Sequence, residues 1–167
     1  MDPCWKDREF VLGAVRHSGT TLRHAAGWLQ NDKEVVLAAV MQNGEALVHA
    51  SQWMRDDYDV VLAALKNMGR VPPAFYSVSD RLRDNETVAR AAFECYGPGP
   101  FQHNGDALQD VSTRLRDDYH VVLAAIQNDG HLRYASPRLQ LDPDLVAWDH
   151  WRHSRYDTPY YDNLILE

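Results

Sequence analysis

The chain has 167 residues, of which 45% are hydrophobic and 25% are charged, and its formal net charge at pH 7 is −7. This composition is typical of a soluble globular domain and excludes the disordered and fibrous classes. An acidic chain lacks the excess of Lys and Arg that neutralises phosphates, so we expect no binding to nucleic acid.

The sequence also gives expectations about membranes and location. The longest apolar run, Val35 to Met41, is far shorter than the roughly 20 residues that cross a bilayer. The N-terminal stretch MDPCWKDREF has neither the basic region nor the apolar region of a secretory signal. We therefore expect an intracellular, cytoplasmic protein without membrane insertion, with an organelle as the alternative.

A repeat of about 25 residues organises the chain. Five segments follow one pattern: DREFVLGAVRHSG from Asp7, DKEVVLAAVMQNG from Asp32, DYDVVLAALKNMG from Asp57, NETVARAAFECYG from Asn85 and DYHVVLAAIQNDG from Asp118. The one from Asn85 is the weakest copy. The glycines that close them are Gly19, Gly44, Gly69, Gly97 and Gly130. Their spacing indicates short insertions in two loops, at residues 71–73 and 98–105.

Each repeat predicts two short helices, of which the first begins at an N-capping Asp or Asn. An acidic residue in the first turn then meets the positive end of the helix dipole. The apolar block that follows, residues 35–40 in the second repeat, is hydrophobic nearly all round, which is typical of a helix buried between neighbours. We expect the closing glycine to end the helix in the left-handed conformation, where it has no Cβ penalty.

The second helix of each repeat is predicted from apolar residues spaced i, i+3 and i+7, which mark one buried face. These sets are Leu22, Ala25 and Leu29; Leu47, Ala50 and Met54; Phe75, Val78 and Leu82; Leu108, Val111 and Leu115; and Leu132, Ala135 and Leu139. No segment shows the alternation of a strand. The sequence therefore predicts an all-α fold.

The predicted architecture is an α-helical solenoid of five helix–turn–helix repeats plus a C-terminal capping helix. We expect one domain over residues 1–153, with repeats starting near residues 7, 32, 57, 85 and 118 and the capping helix starting at residue 142. An aromatic tail follows at residues 154–167.

Two segments carry a resemblance to a known family: DKEVVLAAVMQNGEALVHASQWMRD, from Asp32 to Asp56, and RDDYHVVLAAIQNDGHLRYAS, from Arg116 to Ser136. Both resemble the repeat of the domain of unknown function 4116 family, and the resemblance extends over about residues 7–141. It implies a tandem α-helical array and brings no activity with it.

Aromatic residues near the C-terminus are the first candidates for partner binding, because Trp and Tyr are enriched at interface hot spots. The candidate set is Phe101, in the second insertion, together with Trp148, Trp151, Tyr156, Tyr160 and Tyr161. As an alternative, Trp148 and Trp151 seal the last repeat. Trp5 and Trp28 form a second candidate pair, whose alternative role is to cap the opposite end.

No catalytic, phosphate-binding or dinucleotide-binding motif is present in the sequence, so we expect neither catalysis nor a cofactor. Asp149, His150 and His153 have a helical spacing that could hold a metal ion, although solvent-facing or partner-facing side chains are the stronger interpretation. The sequence thus favours a protein-interaction module, either an adaptor or a small structural subunit. The alternative is an effector or enzyme-modulating protein with a site near this Asp/His/Trp cluster.

Overall fold

The computed structural model describes residues 3–67, 75–95, 107–128 and 130–154. These ranges contain α-helices and 3₁₀ helices and no β-strand, which confirms the all-α prediction. The α-helices are α1 (Arg8–His17), α2 (Lys33–Gln42), α3 (Tyr58–Lys66), α4 (Asp80–Arg83), α5 (Glu86–Cys95), α6 (Ala107–Asp110), α7 (Thr113–Arg116), α8 (Tyr119–Gln127) and α9 (Pro143–Ser154). None of the helices in these ranges is both long enough and apolar enough to cross a membrane.

The first helix of every repeat begins where the sequence predicts it. Asp32 accepts hydrogen bonds from the backbone N–H groups of Glu34 and Val35, at 3.0 and 3.2 Å, and so satisfies donors that the helix itself leaves unpaired. Equivalent caps are made by Asp7, Asp57, Asn85, Asp118 and Asp142. We refer to α1, α2, α3, α5, α8 and α9 as the first helices.

The second segment of each repeat differs from the prediction, because it is not one continuous helix. In the second repeat a 3₁₀ helix at Gly44–His49 is separated from another at Met54–Asp56, and Ala50 between them is extended, with φ −74° and ψ 157°. The equivalent short helices in later repeats are Phe75–Ser77 with α4, α6 with α7, and Leu132–Tyr134 with Leu139–Leu141.

A backbone hydrogen bond between repeats explains this break. The N–H of Ser51 donates to the carbonyl oxygen of Gln30, in the preceding repeat, at 2.8 Å. An N–H with a partner in another repeat cannot also bond within its own helix. The same bond recurs along the chain, from Ala26 to Trp5, Ser79 to Arg55, Ser112 to Arg83 and Ser136 to Arg116. We call these five contacts the inter-repeat backbone bonds.

The segment before α1 takes part in this pattern. Pro3–Lys6 forms a 3₁₀ turn, and the carbonyl of Trp5 within it accepts the bond from Ala26 at 2.9 Å. In the next repeat, the carbonyl of Gln30 has the same role. Residues 3–6 therefore occupy the place that the last turn of a repeat occupies elsewhere.

The first helices pack side by side in chain order, α1 against α2, α2 against α3, α3 against α5, α5 against α8, and α8 against α9. Small side chains of these helices are fully buried, as at Ala39, Ala64, Ala92 and Ala125. The apolar stripe predicted for the second segments faces the core as well and is buried except for Met54, which is partly buried, because the short helices keep the same side chains inward. One hydrophobic cluster runs from Val11 to Leu145.

The glycine that follows α1 has a different role from the predicted one. Gly19 does not adopt the left-handed conformation; its missing side chain lets it lie against α2 of the next repeat. A Cβ there would be in hard contact with the carbonyl oxygen of Ala39 and only 3.1 Å from its carbon. The N–H of Gly19 also donates to Oε1 of Gln42 at 2.5 Å. Close approach between repeats, and not backbone conformation, requires glycine here.

The two predicted insertions, at residues 71–73 and 98–105, lie outside the described residues. The same holds for the tail from residue 155 onward.

Replacing Gly19 tests the close approach. We expect Gly19→Ala to lower the free energy of unfolding by about 1–3 kcal/mol, because the new Cβ forces α2 away from the first repeat. The matched control is Gly13→Ala within α1, where a Cβ meets no atom within 4 Å. This control should raise stability by about 0.5–1 kcal/mol through the better helix propensity of alanine. Urea denaturation followed by circular dichroism measures both, and equal stability of the two variants would contradict the packing argument.

Candidate functional site

Two of the predicted partner-binding residues lie together on the surface of α9. Trp148 and Trp151 are 40% and 51% exposed, and their rings meet edge to face with centroids 5.4 Å apart. Three residues apart on a helix, the side chains share one face. The aromatic contact holds the two indoles in a fixed relative orientation.

Two aliphatic residues of α9 pack into the core at this end. Leu145, in the first turn of α9, is fully buried and Val146 packs against the same cluster. These two residues contribute to the core at this end of the stack, while Trp148 and Trp151 keep about half of their surface exposed.

The exposed face of α9 forms a shallow apolar depression of about 300 Å³, lined by Ala147, Trp148 and Trp151. We call these three residues the α9 aromatic patch. Leu141, one residue before the N-cap of α9, is 82% exposed and adds apolar surface nearby in the sequence.

The remaining predicted aromatic residues, Phe101, Tyr156, Tyr160 and Tyr161, lie outside the described residues. Asp149 and His150 are on α9, whereas the side chain of His153 is not described. Within the described ranges no three His, Cys, Asp or Glu side chains come together in a way that could hold a metal ion.

The two residues of the second predicted pair, Trp5 and Trp28, lie in different environments. Trp5 is half-buried against the hydrophobic cluster and packs on Phe10 and His24, with ring centroids 5.3 and 5.2 Å apart. Trp28 is 56% exposed. The structure adds Trp53, 76% exposed, which the sequence analysis did not single out.

Side-chain clamps join the later repeats. Ser112 Oγ donates to Oδ1 of Asp84, and Arg114 donates through Nε to the same oxygen at 3.0 Å and through Nη2 to the carbonyl of Asp84 at 2.7 Å. Equivalent clamps join Ser79 and Arg81 to Asp56, and Ser136 and Arg138 to Asp117. Each clamp surrounds one inter-repeat backbone bond, because its serine is the donor of that bond.

The first two repeats have tryptophan where the later repeats have the clamp arginine. Trp28 and Trp53 follow the backbone donors Ala26 and Ser51 by two residues, just as Arg81 follows Ser79. Alignment of the repeats on these donors would have revealed Trp53 from the sequence. In the second repeat the serine part of the clamp remains, since Ser51 Oγ donates to Oδ1 of Asn31 at 2.5 Å, and the exposed indole of Trp53 stands in the place of the arginine.

The clamps lower the pKa of the carboxylates that they contain. The hydrogen bond from Ser112, with the charge of Arg114, holds the pKa of Asp84 below its ordinary value. Ser79 and Arg81 lower the pKa of Asp56, and Ser136 and Arg138 lower that of Asp117.

Ion pairs join the N-terminal ends of the first three helices. Arg8 donates to Asp32 at 2.9 Å and to Glu34 at 2.5 Å. One repeat later, Lys33 donates to Asp57 and Asp59 at 2.9 and 2.8 Å. The hydrogen bond from Arg8 lowers the pKa of the Asp32 carboxyl, so a helix cap and an inter-repeat contact use the same group.

Comparison with known families identifies the repeats. Residues 7–55, 40–83 and 101–140 match the sequence model of a family described as domain of unknown function (DUF4116). The chain belongs to this family. Searches of curated proteins and of solved structures found no match. The DUF4116 matches end before α9, so the α9 aromatic patch lies outside the residues that this family model describes.

The clamp carboxylates make stability depend on pH. Because their pKa values are lower in the folded than in the unfolded chain, they stabilise the fold above the unfolded pKa of about 3.9, and this contribution is lost as pH falls through the folded pKa. The unfolding free energy of the wild type should fall between about pH 5 and pH 2. In Asp84→Asn this fall should be smaller, because the variant lacks one of these carboxylates. Denaturant unfolding at several pH values measures this slope. A wild-type slope in the Asp84→Asn protein would contradict the assignment.

Proposed function

We propose that this chain is a non-enzymatic protein-interaction module, acting as an adaptor or as a small structural subunit of a larger assembly. It contacts its partner through the α9 aromatic patch. The observation that carries the proposal is the pair of exposed, mutually oriented tryptophans at one end of a repeat stack.

The exposed indole surface is large enough to support binding. A tryptophan side chain presents up to roughly 250 Å², so half-exposure leaves on the order of 100 Å² on each ring. Burying that area contributes about 2.5 kcal/mol for each residue. Trp148 and Trp151 together thus have the size of an interface hot spot.

The scaffold keeps the entropic cost of binding low. Leu145 anchors the first turn of α9 in the core, and the edge-to-face contact limits the ring orientations of both tryptophans. Groups that are already ordered lose little freedom when a partner binds. A stack of repeats adds an extended surface beside the patch.

Affinity purification of tagged protein from its source cells, followed by mass spectrometry, tests the proposal. The patch variant carries Trp148→Ala and Trp151→Ala. The control carries Trp28→Ala and Trp53→Ala, which removes two tryptophans of similar exposure from another edge. We expect the intact chain and the control to retain a stoichiometric partner and the patch variant to lose it. Circular dichroism first establishes that all three are equally helical.

Two results would contradict the proposal. Retention of the partner by the patch variant would place the interface elsewhere on the chain. An intact chain that binds neither another protein nor a further copy of itself would contradict the interaction module as a whole.

A further inference from the structure

The N-terminal ends of α1, α2 and α3 share one arrangement that binds a basic side chain. In each contact the N-cap residue of a first helix and the second residue after it supply two carboxylates. The preceding first helix supplies the cation, from the residue directly after its own N-cap. Arg8 of α1 thus binds Asp32 and Glu34 of α2 at 2.9 and 2.5 Å. Lys33 of α2 makes the equivalent contact with α3.

The last first helix, α9, has both carboxylates of this arrangement, but a tyrosine takes the place of the cation. Asp142 is the N-cap residue, and Asp144 is exposed two residues later. The residue of α8 that corresponds to Arg8 and Lys33 is Tyr119, which carries no positive charge. Among the residues that the structure describes, neither carboxylate forms an ion pair. We call Asp142 and Asp144 the α9 carboxylate pair.

The helices between α3 and α9 do not offer the same pair. At the two carboxylate positions α5 has Asn85 and Thr87, and α8 has Asp118 and His120. Asp118 forms no ion pair within the described ranges either, and it adds negative charge next to α9, because α8 and α9 pack together. The positive end of a helix dipole does not replace the cation, since Asp32 caps α2 in the same way and still binds a basic side chain.

We propose that the α9 carboxylate pair binds a lysine or arginine side chain of the protein partner that contacts the α9 aromatic patch. The pair and the patch form one surface, because Asp144 lies four residues before Trp148 and therefore on the same face of α9. The partner segment presents a basic residue beside apolar residues that pack on Trp148 and Trp151. The inference rests on the proposed function, because it states the chemistry of the same partner.

The α9 carboxylate pair supplies selectivity more than affinity. An exposed ion pair strengthens binding only a few-fold, whereas the two indoles supply the larger apolar area. Both carboxylates repel a segment that has an acidic residue in the same place. The surface therefore discriminates between basic and acidic segments that carry the same apolar residues.

Two designed peptides test the charge of the partner. The first is an amphipathic helix of leucine and lysine, and the second has glutamate in place of every lysine. In isothermal titration calorimetry the intact chain should bind the lysine peptide at least about tenfold more tightly than the glutamate peptide. This preference should shrink in about 0.5 M sodium chloride, which screens exposed charges. Trp148→Ala with Trp151→Ala should weaken the binding of both peptides.

Two variants assign the preference to the α9 carboxylate pair, because the whole chain is acidic and attracts basic peptides in general. Asp142→Asn with Asp144→Asn removes both charges, and asparagine still serves as an N-cap. Tyr119→Lys supplies a cation from α8, as Lys33 does from α2. Each variant should reduce the preference for the lysine peptide about fivefold.

The matched control for the second variant is Tyr58→Lys. It adds the same charge at the corresponding position of α3, where the next first helix has Asn85 and Thr87 in place of carboxylates. The control should keep the preference of the intact chain. Circular dichroism first establishes that every variant is as helical as the intact chain.

An unchanged preference after removal of both carboxylates would overturn the inference, as would equal losses in the Tyr119→Lys and Tyr58→Lys proteins. Suppose that the chain binds neither peptide, or both alike, and still retains a partner through Trp148 and Trp151 in affinity purification. The basic segment is then wrong and the interaction module stands. If no partner is retained either, both are wrong.

Discussion

The inter-repeat backbone bonds are the constraint on which the rest of this fold depends. A backbone N–H shielded from water needs a partner, and one N–H in the second segment of each repeat finds it in the segment before, as Ser51 does at Gln30 in the preceding repeat and Ala26 does at Trp5. That segment must therefore break at this residue, and its two parts become short helices. Glycine at position 19 and alanine at position 39 are small because the bond holds neighbouring repeats close together.

The sequence predicts one half of each repeat better than the other for a physical reason. The first helices depend on local signals, since a capping Asp and the apolar block after it act within a few residues. The apolar spacing of Leu47, Ala50 and Met54 correctly identifies the side chains that face the core, although Met54 is only partly buried. It cannot reveal the break, because Ser51 bonds to a residue 21 positions earlier and no local pattern records that partner.

Only part of the candidate functional site could likewise be predicted from the sequence. Aromatic composition was sufficient to find Trp148 and Trp151, because two large rings on one helical face are visible in a single segment. Sealing of the core by Leu145 depends on how α9 meets its neighbours, and Trp53 gains meaning only when it is compared with Arg81, Arg114 and Arg138 in other repeats. Such features arise from the relation between repeats and not from any one of them.

The turn at Pro3–Lys6 has a consequence for how an array of this kind can grow. Because Trp5 accepts this bond just as the last turn of a repeat does elsewhere, each period of the chain holds one donor and one acceptor, and the bonding pattern does not depend on where a repeat is taken to begin. A genetic duplication of one period therefore supplies one donor and one acceptor wherever the segment is cut. An array can therefore gain or lose a repeat at any recombination point, provided that the inserted or deleted length is a whole period, so that each donor still faces an acceptor.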